Sequence, residues 1–201
     1  MKMKEVVDIA QRVRAGSPDD RPDWLKLCRD TDHPSAMYYQ FLYQLAKALR
    51  PTWTLETGTR LGLSAVQLAM GHPESTVITL DIDPKTQERL QKNPLISPIK
   101  NILHITADSR AAVKLLPAEC HSFDLVYLDS DHTYDVVMPE FKLYQPMLRP
   151  GGVMIFDDIT LNDGMRRFWK EVPGEKAELN YLHTLMNAGF GAYVKPEQPK
   201  G

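Results

Sequence analysis

Cysteine is almost missing: Cys28 and Cys120 are the two in 201 residues. They stand far apart and in no ligand-like spacing, which argues against a disulfide framework or a thiolate zinc site and leaves two free thiols as the expectation. Long apolar runs are missing as well. No stretch approaches the roughly 20 residues that a membrane-spanning helix needs. The opening "MKMKEVVDIAQRVRAG" alternates charge with apolar residues and is too polar for a secretory signal. Neither sign of charge dominates. Lys and Arg number 24 against 26 Asp and Glu, for a net charge of −2, and the basic residues are scattered, so no basic field points to nucleic acid. The expectation is a soluble, cytoplasmic chain without nucleic-acid or membrane partners, long enough for one hydrophobic core.

What is present is a rhythm. "EVVDIAQRVRA" and "HPSAMYYQFLYQLAKAL" carry apolar residues at helical intervals, separated by the turn-rich "GSPDDRPD". After them short apolar strands alternate with helices. The strands are "WTLET", "STVITLD", "NILHITAD", "FDLVYLD" and "GGVMIFDD". The helices are "GLSAVQLAMG", "PKTQERLQKN", "SRAAVKLLP" and "YDVVMPEFKLYQPML", the last interrupted by Pro139. Near-continuous apolar strands in such alternation predict an α/β fold, Rossmann-like and doubly wound, with a mostly parallel sheet covered by helices on both faces. A helix, "MRRFWKEV", and weaker strand candidates, "AELNYL" and "GFGAYVK", follow. The expected organisation is a helical segment over 1–50, a ligand-binding domain over 51–195 and a frayed tail over 196–201.

Five consecutive strands end in acid: Glu56, then Asp81 with Asp83, then Asp108, Asp129, and the pair Asp157 and Asp158. An open parallel sheet binds its ligand outside these carboxyl ends. One such aspartate is ordinarily a helix cap, but a row of them along one edge points to a cationic guest. The turn "LETGTRLG" deepens the case. It is not a G-x-G-x-x-G dinucleotide fingerprint, since Glu56 and Leu61 take two of the glycine places, and Glu56 would repel a pyrophosphate. Gly58 is expected to let backbone approach a ligand, and Gly62 to let the next helix pack close to the sheet. Asp81 has the place where ribose hydroxyls are bound, with Asp83 the better cap for the helix after it. Asp108 fits two roles, a cap or a partner for the exocyclic amine of a base.

In this order "LETGTRLGLSA", "VITLDID", "ITADS", "FDLVYLDSDHTYD" and "LRPGGVMIFDD" resemble the class I S-adenosylmethionine-dependent methyltransferases. More narrowly the chain is similar, from Met37 to Asp158, to the metal-dependent small-molecule O-methyltransferases of the catechol and caffeoyl-CoA type and their cephalosporin-hydroxylase-like relatives. The resemblance implies a seven-stranded sheet with an antiparallel last strand, "GFGAYVK". It implies S-adenosylmethionine contacts at Glu56, Gly58, Thr59, Gly62, Ser64, Asp81, Ile82, Asp108, Ser109 and Asp129. It also implies a small-molecule hydroxyl acceptor and a homodimer. The sulfonium and amino group of that cofactor are cationic, which suits the acidic edge.

Adjacent strands would bring Asp129 near Asp157 and Asp158, and three carboxylates so placed raise one another's pKa unless a cation sits among them. Oxygen-only donors favour Mg²⁺, with Mn²⁺ or Ca²⁺ as alternatives, over zinc. The resemblance implies the same three residues as metal ligands, with Asp158 where the catechol and caffeoyl-CoA types usually have Asn. His132 stands where catechol-type enzymes carry a lysine base, so His132 and Asp129 are the expected catalytic residues, His132 as proton acceptor. The competing expectations are a metal-independent O- or N-methyltransferase, a non-catalytic S-adenosylmethionine-binding homologue, and an NAD-dependent oxidoreductase, which Glu56 argues against. The aromatics Tyr38, Tyr39, Phe168 and Trp169 fit either a pocket floor or plain core.

Overall fold

Runs such as "VITL" and "LVYL" have no polar face, so strands made of them need cover on both sides. The computed structural model, which describes residues 1–27, 37–183 and 188–197, provides it. Seven strands, β1 (Trp53–Thr57), β2 (Thr76–Asp81), β3 (Ile102–Thr106), β4 (Phe123–Leu128), β5 (Leu148–Asp157), β6 (Lys176–Glu178) and β7 (Phe190–Val194), form one sheet in the order β3-β2-β1-β4-β5-β7-β6. The pairings among β1 to β5 are parallel, while β7 runs antiparallel to both β5 and β6. The doubly wound sheet and the antiparallel role of "GFGAYVK" are therefore as expected.

The helices are α1 (Met3–Arg14), α2 (Asp23–Leu27), α3 (Met37–Leu49), α4 (Leu63–Gly71), α5 (Thr86–Lys92), α6 (Tyr134–Tyr144) and α7 (Asp163–Glu171). Because side chains alternate across a strand, Leu125, Tyr127, Val153 and Ile155 join one core with Val6, Phe41, Leu42 and Leu68. Their neighbours Val126, Leu128, Met154 and Phe156 join the other, with Phe141 and Phe168. Among the described residues no helix is long and apolar enough to cross a membrane. Cys120 is buried and free; Cys28, the Pro34 start of the second expected helix and the end of the tail lie outside the described residues.

Three local expectations are corrected, and one short helix is not foreseen. Pro139 does not interrupt its helix: α6 runs through it. An interior proline costs about 3 kcal/mol, but α6 buries Val137, Met138, Phe141 and Tyr144, each contributing about 1.5–3 kcal/mol. "SRAAVKLLP" forms a 3-10 helix over Ser109–Leu115. "AELNYL" supplies strand only at its start and closes as a second 3-10 turn, Asn180–Leu182. The short α2 lies in a stretch whose prolines and aspartates obscure it.

Register positions the site. Thr57 pairs with Leu80 and Leu128, and Leu128 with Phe156, so Gly58, Asp81, Asp129 and Asp157 leave neighbouring strands at one level. Gly58 adopts φ +87°, and a Cβ there would lie 1.9 Å from the carbonyl oxygen of Asp129. Gly62 is tight for a different reason than expected. Its missing Cβ would meet Leu90 Cδ2 at 2.5 Å and Ile96 Cδ1 at 3.2 Å, so it accommodates α5 and the loop after it rather than the sheet.

Gly58→Ala should therefore destabilise by about 3 kcal/mol or more, combining left-handed strain with a backbone clash, and lower the thermal midpoint by about 6 °C or more. Gly16→Ala, at φ +76° with nothing within 4 Å, carries the strain alone and should cost about 1–2 kcal/mol. Equal losses in the two variants, read by thermal unfolding, would refute the close-approach role of Gly58.

Candidate active site

At the carboxyl ends of the strands lies a cavity of about 630 Å³. Gly58, Thr59, Ser64, Asp81, Ile82, Asp108, Ser109, Asp129, His132, Asp157 and Asp158 all line it. So do Tyr38 and Tyr39, whereas Phe168 and Trp169 are core residues of α7. The aromatics thus divide between the two roles open to them.

Not every acid on this edge faces the cavity unencumbered. Glu56 is fully buried beneath it and is no part of its lining. Thr79 donates its hydroxyl to Glu56 Oε2 at 2.5 Å. Burial pushes Glu56 up to about 8 against the hydrogen bonds of Ser64 and Thr79, with the charges of Asp129 and Asp81 adding to the rise. Asp81 accepts from the backbone N–H groups of Arg60, at 2.7 Å, and Asp83, at 2.8 Å, so it anchors the glycine turn while lining the cavity. Asp83 accepts from Lys85 N–H and pairs with Arg89 at 2.7 Å. Of the two roles open to Asp108, the structure displays the cap: it accepts from Arg110 N–H at 2.9 Å and pairs with the Arg110 guanidinium at 2.6 Å.

Glu140 carries a signal that sequence reasoning missed. Val137, Glu140, Phe141 and Tyr144 follow the i, i+3, i+4, i+7 spacing of a buried helical face, and the acid in that stripe is fully buried. Ser109 and Ser130 both donate their hydroxyls to its Oε1, the latter at 2.7 Å, and Tyr144 donates to the Ser109 carbonyl. Burial raises the Glu140 pKa, opposed by the hydroxyls of Ser109, Ser130 and Thr57. One turn of α6 thus grips the loops that follow β3 and β4.

The innermost acids form a cluster. Asp158 adopts φ +56°, which breaks the alternation that would send two consecutive strand residues to opposite faces. As a result donor atoms of Asp157, Asp158 and His183 lie within 4.8 Å of one another, and so do those of Asp129, His132 and Asp157. His132 bridges the carboxylates, with Nδ1 2.8 Å from Asp158 Oδ2 and Nε2 3.3 Å from Asp129 Oδ1. Burial opposes charge on this imidazole, but the hydrogen bonds and charges of Asp129 and Asp158 prevail and lift it to about 11. Asp157 moves well upward, first through burial and then through the charges of Asp129 and Asp158. Two expectations change. The donors are not oxygen alone, because His183 joins Asp157 and Asp158; and a His132 held by both carboxylates is protonated at neutral pH, so in this arrangement it is their counter-charge rather than a proton acceptor. The donor set fits a divalent ion: Asp157 Oδ1 is buried inside the cluster and accepts no hydrogen bond. Nothing in the sequence around His183 announces its arrival.

Residues 55–159, from within β1 to just past the acid pair, match the family model described as a methyltransferase domain. The chain belongs to the methyltransferase-domain family. It is 32% identical over 124 residues to a rhamnosyl O-methyltransferase from Mycobacterium leprae, spanning 57% of the present chain and 51% of that one. It is 29% identical over 133 residues to a catechol O-methyltransferase from Mycobacterium tuberculosis, spanning 65% and 59%. The chain thus covers a little over half the length of these two relatives. Its fold is that of the O-methyltransferase TomG from Streptomyces achromogenes, solved in complex with SAM, with a TM-score of 0.66, 20% identity and coverage of 97% and 100%.

The proton network predicts a pH dependence of stability for the protein kept free of divalent ions. His132 has a folded pKa of about 11, above its unfolded value of 6.5. Its stabilisation is thus complete below about pH 6.5, declines as pH rises and is gone above about 11. Asp157 and Glu56, raised on folding, act in the same direction above the ordinary carboxylate range. The thermal midpoint in chelator should fall steadily from pH 6 to pH 10, and His132→Gln should make that fall shallower. A flat profile in the parent protein would contradict the network.

Proposed function

We propose that this methyltransferase moves the methyl group of S-adenosylmethionine to a hydroxyl of a small molecule, assisted by a divalent cation at Asp129, Asp157 and Asp158. The observation that carries the reading is one cavity lined by both an acidic nucleoside-type rim and an inner carboxylate cluster. Two relatives named for hydroxyl-bearing groups, rhamnosyl and catechol, support the acceptor class.

S-adenosylmethionine supplies an electrophilic methyl on a sulfonium, and a divalent ion supplies a Lewis acid that makes an acceptor hydroxyl easier to deprotonate. The chain's residues do the rest. Asp81 accepts hydrogen bonds from ribose hydroxyls, and Ile82, 71% exposed at the cavity wall, offers apolar surface to the base. Gly58, having no Cβ, lets the glycine turn lie against the Asp129 backbone, which fixes the cavity wall that the methionine portion would meet. Tyr38 and Tyr39 shield the acceptor from water, so that the gain comes chiefly from orientation and desolvation. His132, freed from its two carboxylates, takes the hydroxyl proton.

A second reading has one observation in its favour: His132 already sits as counter-charge between Asp129 and Asp158. In that case the enzyme needs no ion.

Calorimetric titration with S-adenosylhomocysteine, S-adenosylmethionine and NAD tests the cofactor. Both adenosyl ligands should bind and NAD should not, and Asp81→Ala should weaken S-adenosylhomocysteine about tenfold or more, the equivalent of one charge-assisted hydrogen-bond pair. Absence of binding by the parent protein would end the reading. For the ion, methyl transfer from labelled S-adenosylmethionine to a panel of sugars and catechols should vanish in chelator and in Asp157→Asn. Undiminished turnover in chelator would transfer the case to the second reading.

A further inference from the structure

The cluster receives a side chain from an element that carries none of the family-like motifs. His183 follows the Asn180–Leu182 turn, outside the span of the family match, and its ring lies flat against Tyr38, with centroids 5.1 Å apart and planes at 8°. Its side chain is 9% exposed, and Nε2 stands 3.8 Å from Asp157 Oδ1 and 3.9 Å from Asp158 Oδ1. Both gaps exceed a direct N–H···O hydrogen bond, about 2.7–3.2 Å. They suit two donors sharing one ion. With metal–donor bonds of about 2.0–2.2 Å, donors at right angles lie about 3 Å apart and opposed ones just over 4 Å. Asp157 Oδ1, the buried oxygen without a hydrogen bond, is one of the two atoms that Nε2 faces.

We propose that His183 is a nitrogen ligand of the ion, and that the site consequently takes a first-row transition ion such as Mn²⁺ or Co²⁺ in preference to Mg²⁺. The inference rests on the reading that the carboxylates hold a divalent cation, and it goes further by naming the ligand and the metal class. Mg²⁺ prefers an octahedron of oxygen and gives up water reluctantly, so an imidazole adds little for it. Imidazole suits the later ions, whose affinity for nitrogen rises from Mn²⁺ towards Cu²⁺. Tyr38 holds the ring in plane and limits its rotation, so the donor is in place before the ion arrives.

The test is calorimetric titration of the chelator-stripped protein with MnCl₂, CoCl₂ and MgCl₂ in turn, before any methyl transfer is assayed. The parent protein should bind Co²⁺ and Mn²⁺ about tenfold or more tightly than Mg²⁺. His183→Phe keeps an aromatic ring against Tyr38 but removes the nitrogen. It should weaken Co²⁺ about tenfold or more and leave Mg²⁺ within about twofold. His183→Gln provides the same comparison without the ring, should the phenylalanine fold poorly, and the visible absorption of bound Co²⁺ should change in either variant. Equal effects on Co²⁺ and Mg²⁺, or no effect, would overturn the assignment of His183 while leaving the carboxylate site standing. If the parent protein binds none of the three ions, the carboxylate site falls too, and this inference with it.

Discussion

Everything at this edge of the sheet follows from the cost of holding like charges close together. Two unit charges 4 Å apart repel by about 4 kcal/mol in a medium like a protein surface, and Asp157 has a donor atom within 4.8 Å of one from Asp129 and of one from Asp158. The protein treats its acids differently along the rim. Asp83 and Asp108, at the outer end, are paired to Arg89 and Arg110. The ion pairs of Asp129, Asp157 and Asp158 are to histidines. An arginine is permanently charged and stays; an imidazole can give up its proton and move aside. The inner end is therefore where compensation is exchangeable, and an exchangeable cation is what a site that binds and releases a charged guest requires.

Most of the fold was legible in the chain because its local signals agree with one another. Apolar strands, Gly and Pro punctuation and strand-end acids recur in step, and the structure keeps nearly every such element. The failures occur where tertiary packing overrides local preference. Pro139 stays inside α6 because the buried face of that helix outweighs one lost hydrogen bond. β6 is short, and the chain after Glu178 closes as the Asn180–Leu182 turn that His183 follows.

The site was legible by position and less so by role. Asp124 and Asp129 stand on one strand motif, yet Asp124, at its amino end, accepts from Thr52 and Trp53 N–H groups and pairs with Arg149, a structural task. Topology separates them, since only the carboxyl end of β4 opens on the cavity. Whether an acid is already satisfied depends on partners that local pattern does not reveal. Asp108 is turned toward Arg110 and Glu56 is sunk under the floor. His183 comes from a segment with no motif at all. Glu140 is the exception, an acid in an apolar helical stripe that periodicity alone could have flagged.

The strained positions explain how such a charged edge keeps its shape. Asp158 holds a left-handed backbone that costs about 1–2 kcal/mol, and that cost aims its carboxylate at the same point as that of Asp157. Gly58 draws β1 against β4. Glu140 then ties the β3 and β4 loops through Ser109 and Ser130. Hydrogen bonds between neighbouring strand ends complete the frame, from Gly58 N–H to Leu80 and from Asp129 N–H to Thr57. Repulsion among the acids would open a pliable rim and disperse its charge. Built on strained and tied backbone, the rim keeps its negative potential concentrated, and less ordering remains to oppose binding when a cationic guest arrives.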